Sequence, residues 1–210
     1  MSLEEFARLT QGATELERDR RGVKVLLTHD RHIIKLIRIK RWFSLAAIYP
    51  YSLRFRRNAR RLVTMGIHCV TVERVFYCHA IRRHGIIYPL LGGESLEKIS
   101  GQDGISDDLF IRLAQFIALL HRKGIYFRSL HLGNILLLPQ GGFGLIDVAD
   151  MRFSRFPLRV DQRRRNFRHL LRNPEQRQAF TQFGLGRFLD LYIEASGLDE
   201  AAAEKIKSAV

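Results

Sequence analysis

The sequence predicts an α+β fold in which a small β-rich N-lobe precedes a larger helical C-lobe. Short apolar runs bounded by turn residues recur through the first half of the chain, which is typical of strands. Beyond about Val160 the apolar residues recur at helical spacing instead. Gly92 and Gly93 interrupt the strand pattern, so we place the boundary there. We therefore expect one bilobal domain, with an N-lobe of residues 1–92 and a C-lobe of residues 93–210.

The N-lobe is expected to contain antiparallel strands and one helix. Residues 1–18 indicate an amphipathic helical or irregular lead-in, and Gly22 is expected to end a hairpin that begins near Thr14. The other predicted elements are strands over residues 23–28, 32–39, 70–78 and 80–91, and a helix over residues 52–65. That helix is basic on one side, and Gly66 is its expected stop.

The most strongly patterned element of the chain is a helix over residues 107–123. Ser106 is its expected N-cap, because a serine hydroxyl accepts a hydrogen bond from the first turn of a helix. Its apolar positions recur at helical spacing and are Leu109, Leu113, Phe116, Ile117 and Leu120. Two short apolar runs, residues 135–138 and 143–148, then predict a hairpin, and the remainder from about Val160 predicts helices.

The formal net charge of +14 indicates an anionic partner. The charge is uneven, because no acidic residue lies between Asp30 and Glu73, while eight basic residues fall in residues 152–172 with Asp161 as the only acid. Nucleic acid, an anionic membrane and a phosphorylated substrate all fit such a charge. The sequence contains no recognisable nucleic-acid reader motif, so we expect no nucleic-acid partner.

Cysteine usage and hydropathy favour a cytoplasmic protein. Cys69 and Cys78 lack the spacing of a metal site and are expected to be reduced thiols. The first residues resemble no signal peptide, and no apolar run reaches transmembrane length. The protein is therefore expected to be soluble or peripheral to a membrane.

The stretch most informative about chemistry runs from His121 to Asp150. A long helix is followed by a loop that ends in Gly133 and Asn134, and a hairpin then leads to Asp147. Phosphoryl-transfer enzymes hold Mg²⁺ against nucleotide phosphates with an amide on such a loop and a carboxylate after the following hairpin. Asn134 and Asp147 match both positions in type, order and spacing.

These residues carry a resemblance to known enzymes. The sequence HRKGIYFRSLHLGNILLLPQGGFGLIDVAD resembles the H-G-D-L-H-x-G-N-I-L loop and the I-D-F-G segment of protein-kinase-like small-molecule kinases. Downstream, RVDQRRRNFRHLLRN resembles the R-R-N-L-x-R-L-x-R stretch of the Kdo/heptose lipopolysaccharide kinase family, and the name toluene tolerance protein attaches to some similar sequences. The resemblance spans residues 20–175 and is strongest over residues 116–172.

The resemblance implies a protein-kinase-like fold that uses ATP and Mg²⁺ to phosphorylate an inner-core sugar of a lipopolysaccharide core or lipid A precursor in a Gram-negative bacterium. It implies Asn134 and Asp147 as metal ligands and Lys35 as the partner of the α- and β-phosphates. The alternative for Lys35 is an ordinary exposed strand lysine. Because the family works at the cytoplasmic face of the inner membrane, the expected location is cytoplasmic and peripheral to that anionic surface.

Two departures from the family pattern favour an alternative function. Ser129 stands where the family has its catalytic aspartate, and a serine hydroxyl cannot take a proton at neutral pH. The helix predicted over residues 52–65 contains no acid to pair with Lys35, and the next carboxylate, Glu73, is expected in the following strand. The alternative is a catalytically inactive pseudokinase that serves as a nucleotide-responsive or interaction module in envelope assembly.

His131 is the candidate substitute base, because it lies two residues after Ser129 and histidine has a near-neutral pKa. The family also has histidine there beside its aspartate, so the structural interpretation, in which His131 braces the loop, is favoured. Phosphoryl transfer depends mainly on positioning and electrostatics, so the missing aspartate does not by itself exclude catalysis.

Two cationic segments are candidates for contact with membrane or phosphate. Residues 42–51, WFSLAAIYPY, lie between basic runs and suit the headgroup layer of an anionic membrane, although ordinary core packing explains them equally well. The cluster of Arg163, Arg164 and Arg165 is either a phosphate or lipid site or a solvated helix face. No G-x-G-x-x-G loop precedes Lys35.

Overall fold

The computed structural model describes residues 1–38 and 50–208. It confirms the predicted α+β fold, with one part rich in strands and one rich in helices. The chain divides into two compact units, Met1–Gly92 and Gly93–Val210. Each unit has its own buried apolar core. None of the described helices has both the length and the apolar character that crossing a bilayer requires.

The first unit is built on an antiparallel sheet. Its described elements are a helix Leu3–Thr10, β1 Thr14–Asp19, β2 Gly22–Leu27, β3 His32–Arg38, a helix Tyr51–Thr64, β4 His68–Cys69, β5 Arg74–Cys78 and β6 Arg83–Pro89. Five of these strands form a sheet in the order β1-β2-β3-β6-β5. The hairpin expected between Thr14 and Gly22 is confirmed as β1 and β2.

The two faces of this sheet are covered by different helices. Ile34 and Ile87, opposite each other on β3 and β6, belong to a cluster that packs against Phe6 of the first helix. On the other face, Tyr88 of β6 stacks against Phe55 of the Tyr51–Thr64 helix, with ring centroids 5.7 Å apart. Side chains alternate between the faces of a strand, so the apolar periodicity of β3 follows from this two-sided burial.

Some predicted boundaries are wrong. The strand expected over residues 70–78 begins only at Arg74, and Glu73 lies just before it. The strand expected over residues 80–91 begins at Arg83, because the Arg82 amide bonds the His79 carbonyl in a turn where Arg82 has a φ of 50°. Residues 42–51 were predicted as a membrane segment. Of these, residues 42–49 lie outside the part of the chain that the structure describes.

The second unit is mainly helical. Its helices are Leu96–Gln102, Asp107–Arg122, Val160–Leu170, Pro174–Phe183, Leu185–Ser196 and Glu200–Lys207, and its 3-10 turns are Leu132–Asn134 and Val148–Asp150. Its strands are β7 Glu94–Ser95, β8 Ile125–Phe127, β9 Ile135–Leu137, β10 Phe143–Leu145 and β11 Met151–Phe153. β9 pairs with β10 and β7, and β8 pairs with β11, all antiparallel.

The Asp107–Arg122 helix is the centre of the second unit. It begins as predicted, with the Leu109 amide donating to the Ser106 hydroxyl at 3.3 Å. Its apolar face packs against the Leu185–Ser196 helix, and Phe110 meets Phe188 edge-on. β8 and the loop that follows it start directly from the end of this helix. The position of the loop therefore depends on this core.

Candidate functional site

The candidate site is a loop of the second unit that runs from the end of β8 to β9. Asn134 is 6% exposed and closes the loop, because its Nδ2 donates to the Ser129 carbonyl at 2.9 Å. Its backbone amide donates to the His131 carbonyl at 3.0 Å. These two bonds fix the backbone around both residues that the sequence marked as candidate catalytic groups.

The hairpin of β9 and β10 brings Asn134 and Asp147 together. The Ile146 amide donates to the Asn134 carbonyl at 3.1 Å, so Asp147 follows directly after a residue bonded to Asn134. The Asn134 amide nitrogen is engaged by Ser129, which leaves Oδ1 as the atom of this side chain suited to a cation. An amide oxygen and a carboxylate are hard ligands of the kind that Mg²⁺ uses together with substrate phosphates and water. The residues present therefore fit the predicted metal.

Asp147 adopts a left-handed backbone conformation, with φ 56° and ψ 46°. A non-glycine residue in this region costs about 1–3 kcal/mol, and aspartate is among the side chains that tolerate it best. The residue is half-buried and immediately precedes the Val148–Asp150 turn. Strained conformations of this kind are concentrated at functional sites, where the position of a side chain outweighs the cost to the stability of the protein.

His131 is held between two carboxylates. Burial lowers the pKa of its imidazole, while the charges of Glu97 and Asp147 act in the opposite direction. A β-carbon at Gly133 would lie 2.6 Å from Glu97 Oε2 and 3.1 Å from the His131 ring, so a side chain there would require Glu97 to leave this position. These contacts agree with a bracing role for His131, and its role as a base stays a prediction.

A buried glutamine fixes the same loop from another helix. Gln176 is 4% exposed, and its Oε1 accepts the Leu132 amide at 3.1 Å. Its Nε2 donates to Glu97 Oε1 at 2.6 Å. Sequence reasoning missed both Gln176 and Glu97, because neither belongs to a local motif and they lie far from the loop in the chain. Together they position the backbone between His131 and Asn134.

Ser129 occupies the position of the expected catalytic aspartate and brings no carboxylate to it. It is half-buried and uses its backbone carbonyl to bind Asn134, and none of the described residues hydrogen-bonds its hydroxyl. A neutral hydroxyl cannot accept a proton from an attacking alcohol at neutral pH. Its assignment as a site residue stays a prediction.

Lys35 lies in the first unit, on β3, opposite Val25 of β2 and Ile86 of β6. Strand alternation places it on the face that carries Tyr88, which the Tyr51–Thr64 helix covers through Phe55. That helix contains no acidic residue. It therefore offers Lys35 no carboxylate, as the sequence predicts.

Glu73 corrects one detail of the sequence interpretation. It lies before β5 and not within it, and its Oε2 is 3.2 Å from His32 Nε2. Its backbone amide donates to the Ile87 carbonyl at 3.0 Å. The carboxylate is thus engaged at the edge of the sheet.

A buried polar network anchors the start of the loop. Asn166 Nδ2 donates to the carbonyl of Phe127, the last residue of β8, at 2.8 Å. Asn166 Oδ1 lies 3.1 Å from His121 Nε2, and His121 Nδ1 lies 2.7 Å from the Tyr192 hydroxyl. Arg163 completes the network by donating to Tyr192 at 2.9 Å. The four side chains are almost fully buried and connect three helices to β8.

This network also separates the arginine cluster that the sequence grouped as one site. Arg163 is 3% exposed and donates to the Leu158 carbonyl as well as to Tyr192, so it cannot bind an external anion. Arg164 pairs with Asp161 at 3.5 Å, and Arg165 is exposed. The interpretation of all three as one anion site is wrong, because the helix directs one of them into the core.

His121 is neutral in this network. Burial lowers its pKa to about 3, and the charge of Arg163 acts in the same direction. Because Asn166 Oδ1 can only accept, His121 donates from Nε2 and accepts the Tyr192 hydroxyl proton at Nδ1. The neutral tautomer therefore satisfies every partner, and protonation at Nδ1 would break the bond from Tyr192.

Comparisons with known proteins agree with the fold. No protein-family model matches the chain, and no curated protein does. A crystal structure of WbdD with the kinase inhibitor LY294002 matches 88% of this chain and 42% of that chain, with a TM-score of 0.53 at 12% sequence identity. A second, described as the bifunctional kinase-methyltransferase WbdD, matches with a TM-score of 0.50 at 13% identity, covering 88% of this chain and 46% of the other. The chain spans less than half the length of these structures. The likeness shows a protein-kinase-like fold.

The neutral state of His121 predicts that acid destabilises the second unit. Below the ordinary value of 6.5 the unfolded chain takes up a proton at His121, while the folded chain resists protonation down to a pKa of about 3. The free energy of unfolding should therefore fall by about 2 kcal/mol from this residue between pH 6.5 and pH 5. Urea unfolding of the parent and of His121→Gln at several pH values measures the difference in slope.

The control for this measurement is His68→Gln, which removes an exposed histidine. This variant should keep the pH slope of the parent, whereas His121→Gln should be less stable at pH 7 and show a shallower slope. Parallel curves for the parent and His121→Gln would contradict the assignment of the neutral state.

Proposed function

We propose that this chain is an ATP-dependent kinase-like protein in which Asn134 and Asp147 hold Mg²⁺ against the nucleotide phosphates. The observation that carries the proposal is the juxtaposition of these two oxygen donors at the two ends of the β9–β10 hairpin, in a protein-kinase-like fold. Magnesium would neutralise charge that develops on the phosphates during transfer. The match to a kinase crystallised with a kinase inhibitor supports a nucleotide site.

The proposed acceptor is an inner-core sugar of a lipopolysaccharide core or lipid A precursor. Support comes from the resemblance of residues 159–173 to the Kdo/heptose lipopolysaccharide kinases, and from a net charge of +14 that suits a phosphorylated acceptor. Lys35 would pair with the α- and β-phosphates, as the resemblance implies.

The residues of this chain would position the reactants more than they would move protons. Asn134 orients the loop through Ser129, and Gln176 and Glu97 hold the backbone that leads to Asn134. A positioned nucleophile and stabilised charge supply most of the acceleration in phosphoryl transfer, so a reduced rate without a base is compatible with this site.

A second candidate is a pseudokinase that binds nucleotide without turning it over. Ser129 in place of a carboxylate and the acid-free Tyr51–Thr64 helix favour it. Both candidates share the metal and nucleotide site and differ in transfer. Binding therefore tests the shared part, and a designed variant separates the two.

The shared part predicts nucleotide binding that depends on Mg²⁺ and Asp147. ATP with Mg²⁺ should stabilise the parent by about 2.7 kcal/mol relative to the unliganded protein when the ligand is at 100 times its Kd, and ATP with EDTA should stabilise it less. Asp147→Asn should lose the metal-dependent part. Asparagine is the appropriate replacement because it also tolerates the left-handed backbone.

Thermal-shift titrations measure this effect, and Asp103→Ala, which removes an exposed carboxylate elsewhere in the second unit, is the control. The control should keep the full metal-dependent shift. Absence of any shift in the parent, or an undiminished shift in Asp147→Asn, would show that the metal site is wrongly assigned.

Replacement of Ser129 by aspartate separates the two candidates. We expect weak or absent transfer by the parent to a soluble lipopolysaccharide-core acceptor. Ser129→Asp should raise the rate, because general-base catalysis typically contributes about 10²–10⁴-fold. Phosphate incorporation into the acceptor is the measurement.

An active parent enzyme that uses another base would give the opposite result. Robust transfer by the parent, with loss of rate on Ser129→Asp, would show that another base operates. A large loss of rate in His131→Ala would then identify that base and overturn the bracing role of His131.

We also propose peripheral contact with an anionic membrane through residues 40–61, of which residues 50–61 are described. The Tyr51–Thr64 helix carries arginines and no acid, and a cation near an anionic surface gains about 1 kcal/mol. Sedimentation should occur with anionic vesicles and decrease with salt. Equal sedimentation with neutral vesicles would contradict an electrostatic contact.

A further inference from the structure

One basic cluster of the second unit has no role in the function proposed above. It consists of Arg128, His169 and Arg172. The Asn166–Phe127 hydrogen bond, 2.8 Å long, holds the Val160–Leu170 helix against the end of β8, and Arg128 is the next residue after β8. His169 follows Asn166 by three residues, so the two share one side of the helix. Arg172 follows at the end of that helix.

The two arginines have no anionic partner in the part of the chain that the structure describes. Both are exposed, and neither forms an ion pair or a hydrogen bond from its side chain there. Arg163 and Arg164 of the same helix differ, because Arg163 is bonded within the core and Arg164 pairs with Asp161. The cluster thus holds positive charge that the fold leaves without compensation.

Arg172 lies next to His169, because its backbone amide donates to the His169 carbonyl at 3.4 Å, and the charges of both arginines act on the His169 imidazole. The pKa of His169 is lowered by burial, then by the charge of Arg128 and then by that of Arg172. No carboxylate contributes to this shift. A half-buried imidazole and two arginines with no nearby acid offer several hydrogen-bond donors to one anion, and arginine binds phosphate and carboxylate with two parallel bonds.

The location of the cluster relates it to the acceptor. Arg128 directly precedes Ser129 in the chain, and the Ser129 carbonyl accepts a hydrogen bond from Asn134. In the proposed function, the attacking hydroxyl of the acceptor lies beside residue 129. We therefore expect an anionic group on that acceptor to lie near Arg128, the preceding residue.

We propose that Arg128, His169 and Arg172 form a subsite for a phosphate or carboxylate group of the acceptor. The acceptor is then an anionic sugar whose charged group lies near the hydroxyl that receives the phosphoryl group. This inference rests on the proposed function for the identity of the acceptor, and on the cluster alone for anion binding.

The test is a titration of His169 by NMR, with inorganic phosphate as the probe and chloride at equal ionic strength as the reference. A bound anion should raise the pKa of His169 above its value in chloride, because a nearby opposite charge favours the protonated imidazole. Arg128→Gln with Arg172→Gln should abolish this response. Arg155→Gln, which removes an exposed arginine outside this helix, should retain it.

An unchanged His169 titration in phosphate would overturn the proposal, as would an equal response in the double variant. Vesicles of phosphatidylglycerol distinguish a lipid headgroup from a soluble anion. A response to vesicles without a response to inorganic phosphate would assign the cluster to the membrane and overturn the acceptor subsite.

The result is independent of the metal site. Phosphate is tested without nucleotide, and the double variant should keep the stabilisation by ATP with Mg²⁺ that Asp147→Asn loses. Failure of the Asp147 experiment with a retained His169 response would therefore reject the proposed function and leave the anion subsite standing.

Discussion

The second unit depends on the hydrogen bond from Asn166 to the carbonyl of Phe127. A carbonyl buried at the end of a short strand needs a partner, since leaving it unpaired would cost roughly 1–3 kcal/mol. Neutral His121 donates to Asn166 Oδ1 and thereby holds the amide in the orientation that makes this bond. His121 in turn requires the Tyr192 hydroxyl, which Arg163 orients. This chain of buried donors and acceptors fixes where β8 ends and so where the loop toward Asn134 begins. A fully satisfied network of this kind favours one arrangement over its competitors.

Local sequence patterns correctly predicted the features that depend on residues close together in the chain. The hairpins, the Ser106 cap and the spacing from Asn134 to Asp147 all involve residues close in the chain, and the structure has each of them. Contacts between distant residues were not predictable in this way. Gln176 reaches the loop across 44 positions, and no periodicity marks it.

The basic run around Arg163 was misread for the same reason, because a charge count does not show which arginine the helix turns inward. The predicted start of β5 was too early, because the apolar run includes residues that belong to none of the described strands of the sheet.

The proposed site combines two oxygen donors suited to a metal with a serine at the position of the expected base. Asn134 and Asp147 lie at the two ends of a hairpin, and the left-handed backbone of Asp147 costs free energy that the surrounding packing must supply. Ser129 and the acid-free Tyr51–Thr64 helix lack the corresponding groups for proton transfer and for pairing with Lys35. Uncompensated arginines lie next to this incomplete centre. In the proposed function, such a distribution would favour recognition of anions over acid-base chemistry.

Gly133 has a consequence for how sequences of this kind can vary. Any side chain there would collide with the Glu97 carboxylate unless Glu97 moved from the position in which Gln176 holds it. The constraint on residue 133 therefore belongs to a set of three positions and not to the glycine alone. A chain that replaced Glu97 and Gln176 by smaller residues would release position 133, whereas one that kept both would retain glycine. Covariation among these three positions would be the evolutionary trace of a loop that is fixed from outside its own segment.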